Sequence, residues 1–333
     1  MKTIVNPYAE LKGQELVVAI GVFDGVHLGH KELLNTALEL RSETGLPVMA
    51  VTFAPHPKIV LEQSNGHVRL LTPEREKKVL LEDMGIDYYW AIPFTEQVAR
   101  LSPEQFADHY LCSLLNSKYV VCGFNFTFGY MGRGTPQYLK EICRDKEFEV
   151  LVVPPFEIRG DVVSSTKIRS LILDGDSVTA NEFLGRPYCI YGEVVRGTGV
   201  GGQIGVPTSN IRYPADKLLP KNGVYSVLAR VSGGDLMPAV CNIGVKPTFG
   251  GGQTCVEVHV PGFSGQLYGA DMQIFLDRYI REERKFTSVD FLKEQIQSDI
   301  ETALCHLQSE ETLGLDDGLF TLLGAYDRIF VTK

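Results

Sequence analysis

The sequence predicts an α/β chain in which a doubly wound parallel sheet precedes an antiparallel β-barrel with a terminal helix. Three observations lead to this prediction. From 15 to about 153, apolar strand-like runs alternate with helical stretches. After Arg186, short strands follow one another with turns between them, and a single amphipathic stretch covers about 288–307. Alternating βα units favour a parallel sheet, whereas successive short strands favour a barrel.

The first region contains five predicted strands, of which Leu16–Ile20 is apolar without alternation, as a strand buried on both faces is. Helices are predicted to begin near 31, 73, 102 and 136, several of them with proline in the first turn. Ligands of such sheets bind outside the carboxyl ends of the strands. The predicted strands are Leu16–Ile20, Val48–Phe53, Tyr88–Phe94, Tyr119–Cys122 and Glu149–Val153.

The second region contains five predicted strands and one helix, which together indicate a small barrel. We therefore expect domains at 1–185 and 186–308, followed by an extension at 309–333 whose role the sequence does not indicate. The predicted strands are Tyr188–Val195, Gly223–Val231, Ala239–Ile243, Thr254–Val260 and Met272–Tyr279.

The composition of the 333 residues is that of a globular protein, with 44% hydrophobic and 22% charged residues. No apolar run reaches the roughly 18–20 residues that span a bilayer, and the N-terminus lacks the apolar core of a signal peptide. Seven cysteines without a C-x-x-C pair suggest reduced thiols and a cytoplasmic chain. The net charge of -9 disfavours a general nucleic-acid binder. We expect no nucleic-acid or membrane partner, and the sequence leaves the oligomeric state open.

A glycine-rich turn follows the first predicted strand. Residues 21–30 read Gly-Val-Phe-Asp-Gly-Val-His-Leu-Gly-His, and helical periodicity begins directly after them. His27 and His30 therefore share one face at a helix start, beside backbone N–H groups that lack intrahelical partners. A helix N-terminus favours anions, and imidazole N–H groups add to that preference. The pattern indicates a phosphate site; a tight turn with two solvated histidines is the structural alternative.

A second helix start follows the strand Glu149–Val153 and begins a helical stretch that runs to about Leu184. Ser164, Ser165 and Thr166 are good N-cap residues, and Arg169 lies one turn further on, with a planar donor fork suited to phosphate. An ordinary capped helix is the structural alternative.

Together, these two motifs resemble the signature of the nucleotidylyltransferase superfamily, which has a Rossmann-like fold with an H-x-G-H turn. Further blocks resemble the bacterial bifunctional riboflavin kinase/FMN adenylyltransferases, also called FAD synthetases. The resemblance covers most of 15 to about 307 and implies conversion of riboflavin to FMN and of FMN to FAD, with ATP and Mg²⁺. The matching blocks are Gly21–His30, Thr52–Pro57, Gly123–Gly129, Ser164–Arg169, Leu184–Tyr188, Pro207–Asn210, Asn242–Phe249, Val256–His259 and Arg281–Phe286, with the helix through Gln295 and Asp299.

The resemblance implies that the first domain joins the FMN phosphate to the α-phosphorus of ATP. His27 and His30 would be the catalytic residues, and Gly29 would leave room for the adenine ring. The implied ATP-binding residues are Gly21, Phe23, Asp24, Gly25, His27, Gly29, His30, Ser164, Ser165, Thr166 and Arg169. The implied flavin-binding residues are Phe53, His56, Pro57, Asn125 and Phe128. A packed strand end is the alternative for the first three, and Asn125 stands where many relatives carry Asp.

The resemblance implies that the barrel carries the kinase, with Glu257 as the general base on the riboflavin 5′-hydroxyl. Glu257 alternates with Val256 and Val258, so it points away from them, and we expect it on the inner face of the barrel. A solvent-facing Glu on an edge strand is the structural alternative. The implied ATP- and Mg²⁺-binding residues are Gly197, Gly199, Gly202, Gly205, Pro207, Thr208 and Asn210, of which Thr208 and Asn210 would hold Mg²⁺. The implied flavin-binding residues are Glu257, Arg281 and Glu283.

One departure from the family favours an alternative. Relatives usually carry Lys or Arg among the glycines at 197–203, whereas here no charge lies between Arg196 and Arg212. Backbone N–H groups of the loop would still cradle phosphate. The alternative is therefore a monofunctional FAD synthetase with a weakened or inactive kinase domain.

Three other functions stay open at this point. A flavin sensor that controls gene expression is disfavoured by the acidic charge and by the lack of a helix-turn-helix pattern. An adenylyltransferase for another phosphorylated acceptor is disfavoured by the appended barrel. A zinc site at His27 and His30 is disfavoured because no Cys–His spacing supplies a third and fourth ligand.

Overall fold

The structure is a computed structural model that describes residues 1–61, 68–197, 200–203, 205–246, 253–263, 265–308, 326 and 328–329. The chain divides into two compact units, Met1–Ser164 and Ser165–Lys333. The two helices that precede residue 185 therefore group with the barrel. The domain limits at 185 and 308 stay predictions.

A parallel sheet forms the centre of the first unit. Its strand order in the described residues is β1-β4-β3-β2-β5-β6, and every pairing between neighbours is parallel. The five predicted strands are all present, and a two-residue edge strand adds to them. The central strand β2 is buried at every position, which explains its unbroken apolar run. The strands are β1 Lys2–Thr3, β2 Leu16–Ile20, β3 Val48–Ala54, β4 Tyr88–Pro93, β5 Ser117–Gly123 and β6 Glu149–Val153.

Helices connect these strands, and helix α2 carries the glycine-rich turn at its start. It ends at Gly45, whose left-handed backbone (φ 74°) lets its N–H donate to the carbonyl of Arg41. Leu33, Leu34 and Ala37 are its buried residues. The helices of this unit are α1 Pro7–Leu11, α2 Leu28–Thr44, α3 Pro57–Val60, α4 Glu74–Asp83, α5 Glu96–Ala99, α6 Pro103–Phe106 and α7 Pro136–Ile142, with a π-helical stretch at Ala107–Leu114 and 3₁₀ turns at Tyr130–Gly132 and Cys143–Asp145. A small hairpin, β7 Glu157–Ile158 and β8 Asp161–Val162, follows β6.

A closed antiparallel barrel forms the centre of the second unit, so the predicted fold class is confirmed. In the described residues its strand order is β10-β13-β12-β11-β14-β9. Strand β10 is not predicted from the sequence, because its four residues, which include Asn and Arg, show no apolar alternation. The strands are β9 Tyr188–Val195, β10 Ser209–Arg212, β11 Gly223–Val231, β12 Met237–Lys246, β13 Gln253–His259 and β14 Asp271–Arg281.

The helical stretch predicted from 164 to 184 is two helices, α8 Ser165–Asp174 and α9 Ser177–Leu184. Gly175 adopts a left-handed backbone (φ 86°), and the Asp176 side chain accepts a hydrogen bond from the Thr179 N–H, so the first helix stops and a second begins. A short helix, α10 Val200–Gln203, lies in the glycine loop, and α11 Val289–Gln308 packs across β11, β12 and β14. Among the described helices, none has the length and apolar character that crossing a bilayer requires.

The C-terminal extension is described at Tyr326, Arg328 and Ile329. Tyr326 and Ile329 are buried, and the Tyr326 ring meets Phe275 edge-on with centroids 5.5 Å apart. The apolar run Leu319–Leu323 lies outside the described residues.

Candidate active sites

The turn between β2 and α2 has an unusual backbone. Gly25 has φ 95°, and two residues with side chains, Phe23 (φ 51°) and Val26 (φ 40°), also adopt left-handed conformations. Residues other than glycine rarely do so without contacts that hold them there. Phe23 and Val26 are fully buried, which shows that the surrounding core holds this turn.

His27 caps helix α2 with its own ring. The Nδ1 atom accepts a hydrogen bond of 3.3 Å from the backbone N–H of His30. Because Nδ1 is the acceptor, the neutral ring carries its proton on Nε2, where it can donate to an anion. The His30 ring stacks on His27 with centroids 3.7 Å apart and an interplanar angle of 18°. Phe23 meets His30 edge-on at 5.3 Å. The structure therefore brings His27, His30 and Phe23 together.

Gly21 and Gly29 leave room for these rings. A Cβ atom at Gly29 would lie 3.3 Å from the His27 Cε1 atom, and one at Gly21 would lie 3.3 Å from the Phe23 ring. The resemblance assigns Gly29 to adenine binding. In the structure its lack of a side chain also lets the His27 ring pack closely, so this glycine matters before any ligand binds.

Asp24 lies beneath the turn rather than at its surface. It is 2% exposed, and its carboxylate accepts from the Thr72 N–H at 3.1 Å. The Thr72 hydroxyl in turn accepts from the Gly25 N–H at 2.9 Å. Lys77 of α4 donates to the carbonyl of Val22 at 2.8 Å. Thr72 and Lys77 are not among the site residues predicted from the sequence; the Thr-Pro pair before α4 is the local signal that marks this segment.

The second implied phosphate motif lies at the division between the units. Ser164 ends the first unit, and Ser165, Thr166 and Arg169 lie in the first turns of α8, which belongs to the second unit. Ile168 and Ile172 form the buried face of α8. A role of this motif on the ATP of the H-x-G-H turn stays a prediction.

The residues implied for FMN binding occupy different environments. Phe53 and Phe128 are 8% and 5% exposed and belong to the hydrophobic core of the first unit, where both contact Phe106. His56 and Pro57 begin the short helix α3, and the His56 Nδ1 accepts from the Lys58 N–H at 3.2 Å. Asn125 is exposed. Their roles in FMN binding stay predictions, and the packing of the two phenylalanines favours support of the site over direct polar contact.

A cavity of about 350 Å³ lies in the second unit. This volume is within the usual range for small-molecule sites. The cavity brings together Thr208, Asn210, Glu257, Arg281 and Glu283 of the predicted set. It also includes residues of the matching blocks that were not among the predicted site residues. These include Asn242, His259, Arg284, Phe286 and Asp299, with Val224, Val240, Leu292 and Ile296 as its apolar part.

Glu257 is the central member of a row of polar side chains across three strands. In the sheet register Asn210 of β10 lies opposite Glu257, and Asn242 of β12 lies opposite it on the other side. Directly paired residues present their side chains on the same face. Val224 pairs with Asn242 and packs with Ala303 of α11, so the face that carries Asn242 and Glu257 is the outer face of the barrel. The expectation that Glu257 lies inside the barrel is therefore wrong. Val256 and Val258 alternate with Glu257 and are fully buried.

The glycine loop folds closely onto this row. A Cβ atom at Gly197 would overlap the side-chain amide of Asn210, and one at Gly201 would lie 3.2 Å from the Thr208 hydroxyl. Gly201 was not among the predicted residues. Gly205 has a left-handed backbone (φ 82°), which favours glycine. At Gly202 an added Cβ atom would have no neighbour within 4 Å. Pro207 accepts at its carbonyl from His259, whose Nδ1 lies 2.8 Å away. Gly199 lies outside the described residues.

Arg281 is engaged by the protein itself. Its Nε and Nη2 atoms donate to the two Asp299 carboxylate oxygens at 2.8 and 2.7 Å, and Nη1 donates to the Glu282 carbonyl at 2.9 Å. Glu283 lies over the backbone of Gly244 and accepts from the Asn242 side chain at 3.4 Å. The structure therefore favours Arg281 as a link between β14 and α11, while its predicted contact with flavin stays a prediction.

Comparison with known proteins decides the family. The FAD synthetase family model matches residues 10–167, and the riboflavin kinase family model matches residues 184–307. A relative from Bacillus subtilis (strain 168), named bifunctional riboflavin kinase/FMN adenylyltransferase, is 38% identical over 311 residues, covering 91% of this chain and 98% of the relative. The chain belongs to this family. It is an enzyme with a kinase domain and a nucleotidyltransferase domain.

Two further comparisons agree with membership of the riboflavin kinase/FMN adenylyltransferase family. A relative of the same name from Escherichia coli (strain K12) is 35% identical over 287 residues, which are 86% of this chain and 91% of the relative. A crystal structure from Streptococcus pneumoniae, titled a macrolide-efflux protein, superposes with a TM-score of 0.82 at 32% identity. The superposition covers 91% of this chain and 98% of the Streptococcus pneumoniae chain, so the two proteins share their fold. Its title describes that protein alone.

Proposed function

We propose that this chain uses one ATP to phosphorylate riboflavin to FMN and a second ATP to convert FMN to FAD and pyrophosphate. The observation that carries the proposal is that each family domain presents its own reactive set. The first domain has stacked imidazoles at the start of α2, and the second has a carboxylate between two amides in a cavity. Seven cysteines without a C-x-x-C pair and a net charge of -9 favour a cytoplasmic enzyme that does not bind nucleic acid.

In adenylyl transfer an FMN phosphate oxygen attacks the α-phosphorus of ATP, and the bond from that phosphorus to the bridging oxygen of pyrophosphate breaks. The nucleophile is already an anion, so the protein needs to supply no base. It must instead bring two anions together and stabilise the charge that develops on pyrophosphate. The Nε2 proton of His27, the neighbouring His30 ring and the N–H groups at the start of α2 are the donors that we assign to this task.

In riboflavin phosphorylation the 5′-hydroxyl oxygen attacks the γ-phosphorus of ATP, and ADP leaves. The hydroxyl proton must go to an acceptor, and we assign Glu257 to that role. Glu257 is half-buried and lines the cavity. Asn210 and Asn242 lie opposite it on the neighbouring strands, where their amide groups can orient the carboxylate and the substrate hydroxyl.

The oxygen atoms near Glu257 suit Mg²⁺. Mg²⁺ prefers hard oxygen ligands and commonly takes one or two protein groups together with water and substrate phosphates. Thr208 and Asn210 supply a hydroxyl and an amide oxygen at the cavity, so we assign the ion to them. When bound, Mg²⁺ neutralises charge on the ATP phosphates.

The uncharged glycine loop supports a second candidate function, a monofunctional FAD synthetase with an inactive barrel. Arg284 argues against it, because this cation lies at the cavity although the loop lacks one. Arg284 follows β14 and is not among the site residues predicted from the sequence.

The experiment is chromatography of the products after incubation of the purified chain with riboflavin, ATP and Mg²⁺. We expect both FMN and FAD. FAD from added FMN, with no product from riboflavin, would support the monofunctional candidate. Absence of FAD when FMN and ATP are supplied would overturn the proposal for the first domain.

The Glu257→Gln variant tests the assignment in the barrel. We expect riboflavin phosphorylation to slow about 100-fold or more, since a general base typically contributes that much. FAD formation from FMN should not change. Glu193→Gln is the matched control, because Glu193 is a barrel carboxylate that pairs with Arg212 at the surface. An unchanged kinase rate in Glu257→Gln would remove Glu257 as the base.

A further inference from the structure

A buried lysine lies beneath the turn that carries His27 and His30. We propose that Lys77 is a positioning residue for adenylyl transfer, which holds the Val22–Val26 turn so that the two imidazoles face the ATP phosphates. This inference rests on the proposed function of the first domain. Lys77 belongs to α4, it is 6% exposed, and no motif that indicated the function includes it.

The turn needs external support because of its backbone. Phe23 and Val26 carry side chains, yet both have φ between 40° and 51°, in the left-handed region. Such conformations persist where surrounding contacts determine them, and they concentrate at functional sites. A turn without its supporting contacts would relax, and the histidines that follow it would move.

Two donors hold the carbonyl that begins the turn. The Val22 oxygen accepts from the Lys77 ammonium at 2.8 Å and from the Thr52 hydroxyl at 2.9 Å. A carbonyl oxygen has two lone pairs, so this pair of contacts satisfies it fully. One donor comes from β3 and the other from α4, on different elements of the same unit. The position of Val22 is thereby determined from two directions.

A second pair of contacts joins Thr72, which lies just before α4, to the middle of the turn. The Gly25 N–H donates to the Thr72 hydroxyl, and the Thr72 N–H donates to the Asp24 carboxylate, at 2.9 and 3.1 Å. Thr72 is fully buried, five residues before Lys77. The start of α4 therefore supports the turn at Val22 and at Asp24–Gly25.

The charge of Lys77 is costly where it lies. Burial lowers the pKa of the Lys77 ammonium, while the carboxylates of Asp24 and Glu74 act in the opposite direction. An apolar side chain of similar length would fill the same space without that cost. What the ammonium adds is a charge-assisted hydrogen bond to the Val22 carbonyl.

The position of Val22 is transmitted to the reactive groups by direct packing. Phe23 follows Val22, and its ring contacts His30 edge-on at 5.3 Å. His30 stacks on His27 at 3.7 Å. A shift at Val22 would therefore move the aromatic ring on which the imidazole pair rests. Misplacement of a positioning group by about 1 Å can lower a rate about 100-fold.

The test compares three variants in the full chain. Lys77→Met removes the charge and keeps the length, and Lys77→Arg keeps a buried cation. Lys78→Met is the matched control, because Lys78 is the next residue of the same helix and pairs with Glu74 at 3.0 Å near the surface. Steady-state kinetics of FAD formation from FMN and ATP gives kcat and KM, and riboflavin phosphorylation by the same sample reports on the integrity of the barrel.

We expect Lys77→Met to lower the kcat of FAD formation about 100-fold, with little change in the KM for FMN. Lys77→Arg should recover most of that loss, and Lys78→Met should match the wild type. Riboflavin phosphorylation should be the same in all of them. A wild-type kcat in Lys77→Met, or an equal loss of kcat in Lys78→Met, would overturn the inference about Lys77. The proposed function would still stand in that case, provided that the wild-type protein forms FAD. If the wild type itself forms no FAD, both fall.

Thr52→Val keeps the inference testable if Lys77→Met does not fold. It removes the other donor to the Val22 carbonyl with almost no change in volume. We expect kcat to fall in the same direction by about 10-fold, again with KM little changed. An unchanged kcat in Thr52→Val together with an unfolded Lys77→Met would mean that Lys77 serves stability alone, against the inference.

Discussion

His27 combines two tasks on one ring. Nδ1 accepts from the His30 N–H and begins helix α2, which leaves Nε2 to carry the proton of the neutral ring. A carboxylate or hydroxyl at this position would cap the helix equally well but would offer no N–H to a phosphate. The structural alternative from the sequence, a solvated histidine, does not describe this side chain, which is 6% exposed and stacked on His30.

The two tasks can be separated by substitution. His27→Asn keeps a capping oxygen and should cost less than about 1 kcal/mol of stability, whereas His27→Ala should cost about 1 kcal/mol more because the cap is lost. Both should lower FAD formation by about 100-fold or more, because both remove the donor to phosphate. Urea unfolding and product chromatography measure the two effects. FAD formation at the wild-type rate in His27→Asn would contradict the assignment.

At the scale of elements, the segment after β14 reaches back over β12. Glu283 lies on the backbone of Gly244 and accepts from the side chain of Asn242, which itself pairs with Glu257 across the strands. Gly244 is not in the left-handed region, so alanine is compatible with its backbone. The three heavy atoms nearest to a Cβ atom there all belong to the Glu283 carboxylate group.

Gly244→Ala should therefore move Glu283 without distorting the barrel. We expect kcat/KM for riboflavin to fall about 10-fold, with FAD formation from FMN unchanged and thermal stability nearly the same. Two further variants complete a double-mutant cycle: Glu283→Ala alone, and Glu283→Ala combined with Gly244→Ala. Substitutions of residues in contact have non-additive effects, which this cycle detects. A loss in the double variant equal to the product of the single losses would show that Gly244 does not act through Glu283.

At the scale of the whole molecule, each unit buries at least one of its thiols. Cys122 of the parallel sheet and Cys189 and Cys241 of the barrel are buried, whereas Cys305 of α11 is exposed. Burial raises the pKa of the Cys122 thiol to about 12, and burial also raises the pKa of Cys241. A thiol reagent reacts with the thiolate, so these side chains should be unreactive near pH 8 while the units stay folded.

Titration with a chromogenic thiol reagent at pH 8 should show a fast phase that Cys305→Ser removes. The buried thiols should react only after denaturant unfolds the chain, when all seven cysteines become available. Mass spectrometry of the modified peptides identifies the order in which the cysteines react. Fast modification of Cys122 or Cys241 in the native protein would contradict the burial of the two cores.

Part of this protein follows from contiguous residues. The apolar run of β2, the alternating pattern of β13 and the periodicity of α11 each lie within one segment, and the helices and strands formed there as predicted. His27 and His30 are three residues apart, so their shared face at a helix start needs no other part of the chain. The element types and the family resemblance were predictable for this reason; the structure confirmed the elements, and the comparisons confirmed the family.

Other features were decided by tertiary structure. Lys77 meets the Val22 carbonyl across 55 residues of sequence, and no local pattern distinguishes it from Lys78 beside it. The strand β10 forms because its neighbours β9 and β13 close the barrel on it, and the same closure sets Asn210 opposite Glu257. Glu257 faces outward under α11 because alternation determines only that it opposes Val256 and Val258, not which face is inside. Local patterns depend on neighbours along the chain, whereas burial and pairing between distant segments depend on how the chain packs.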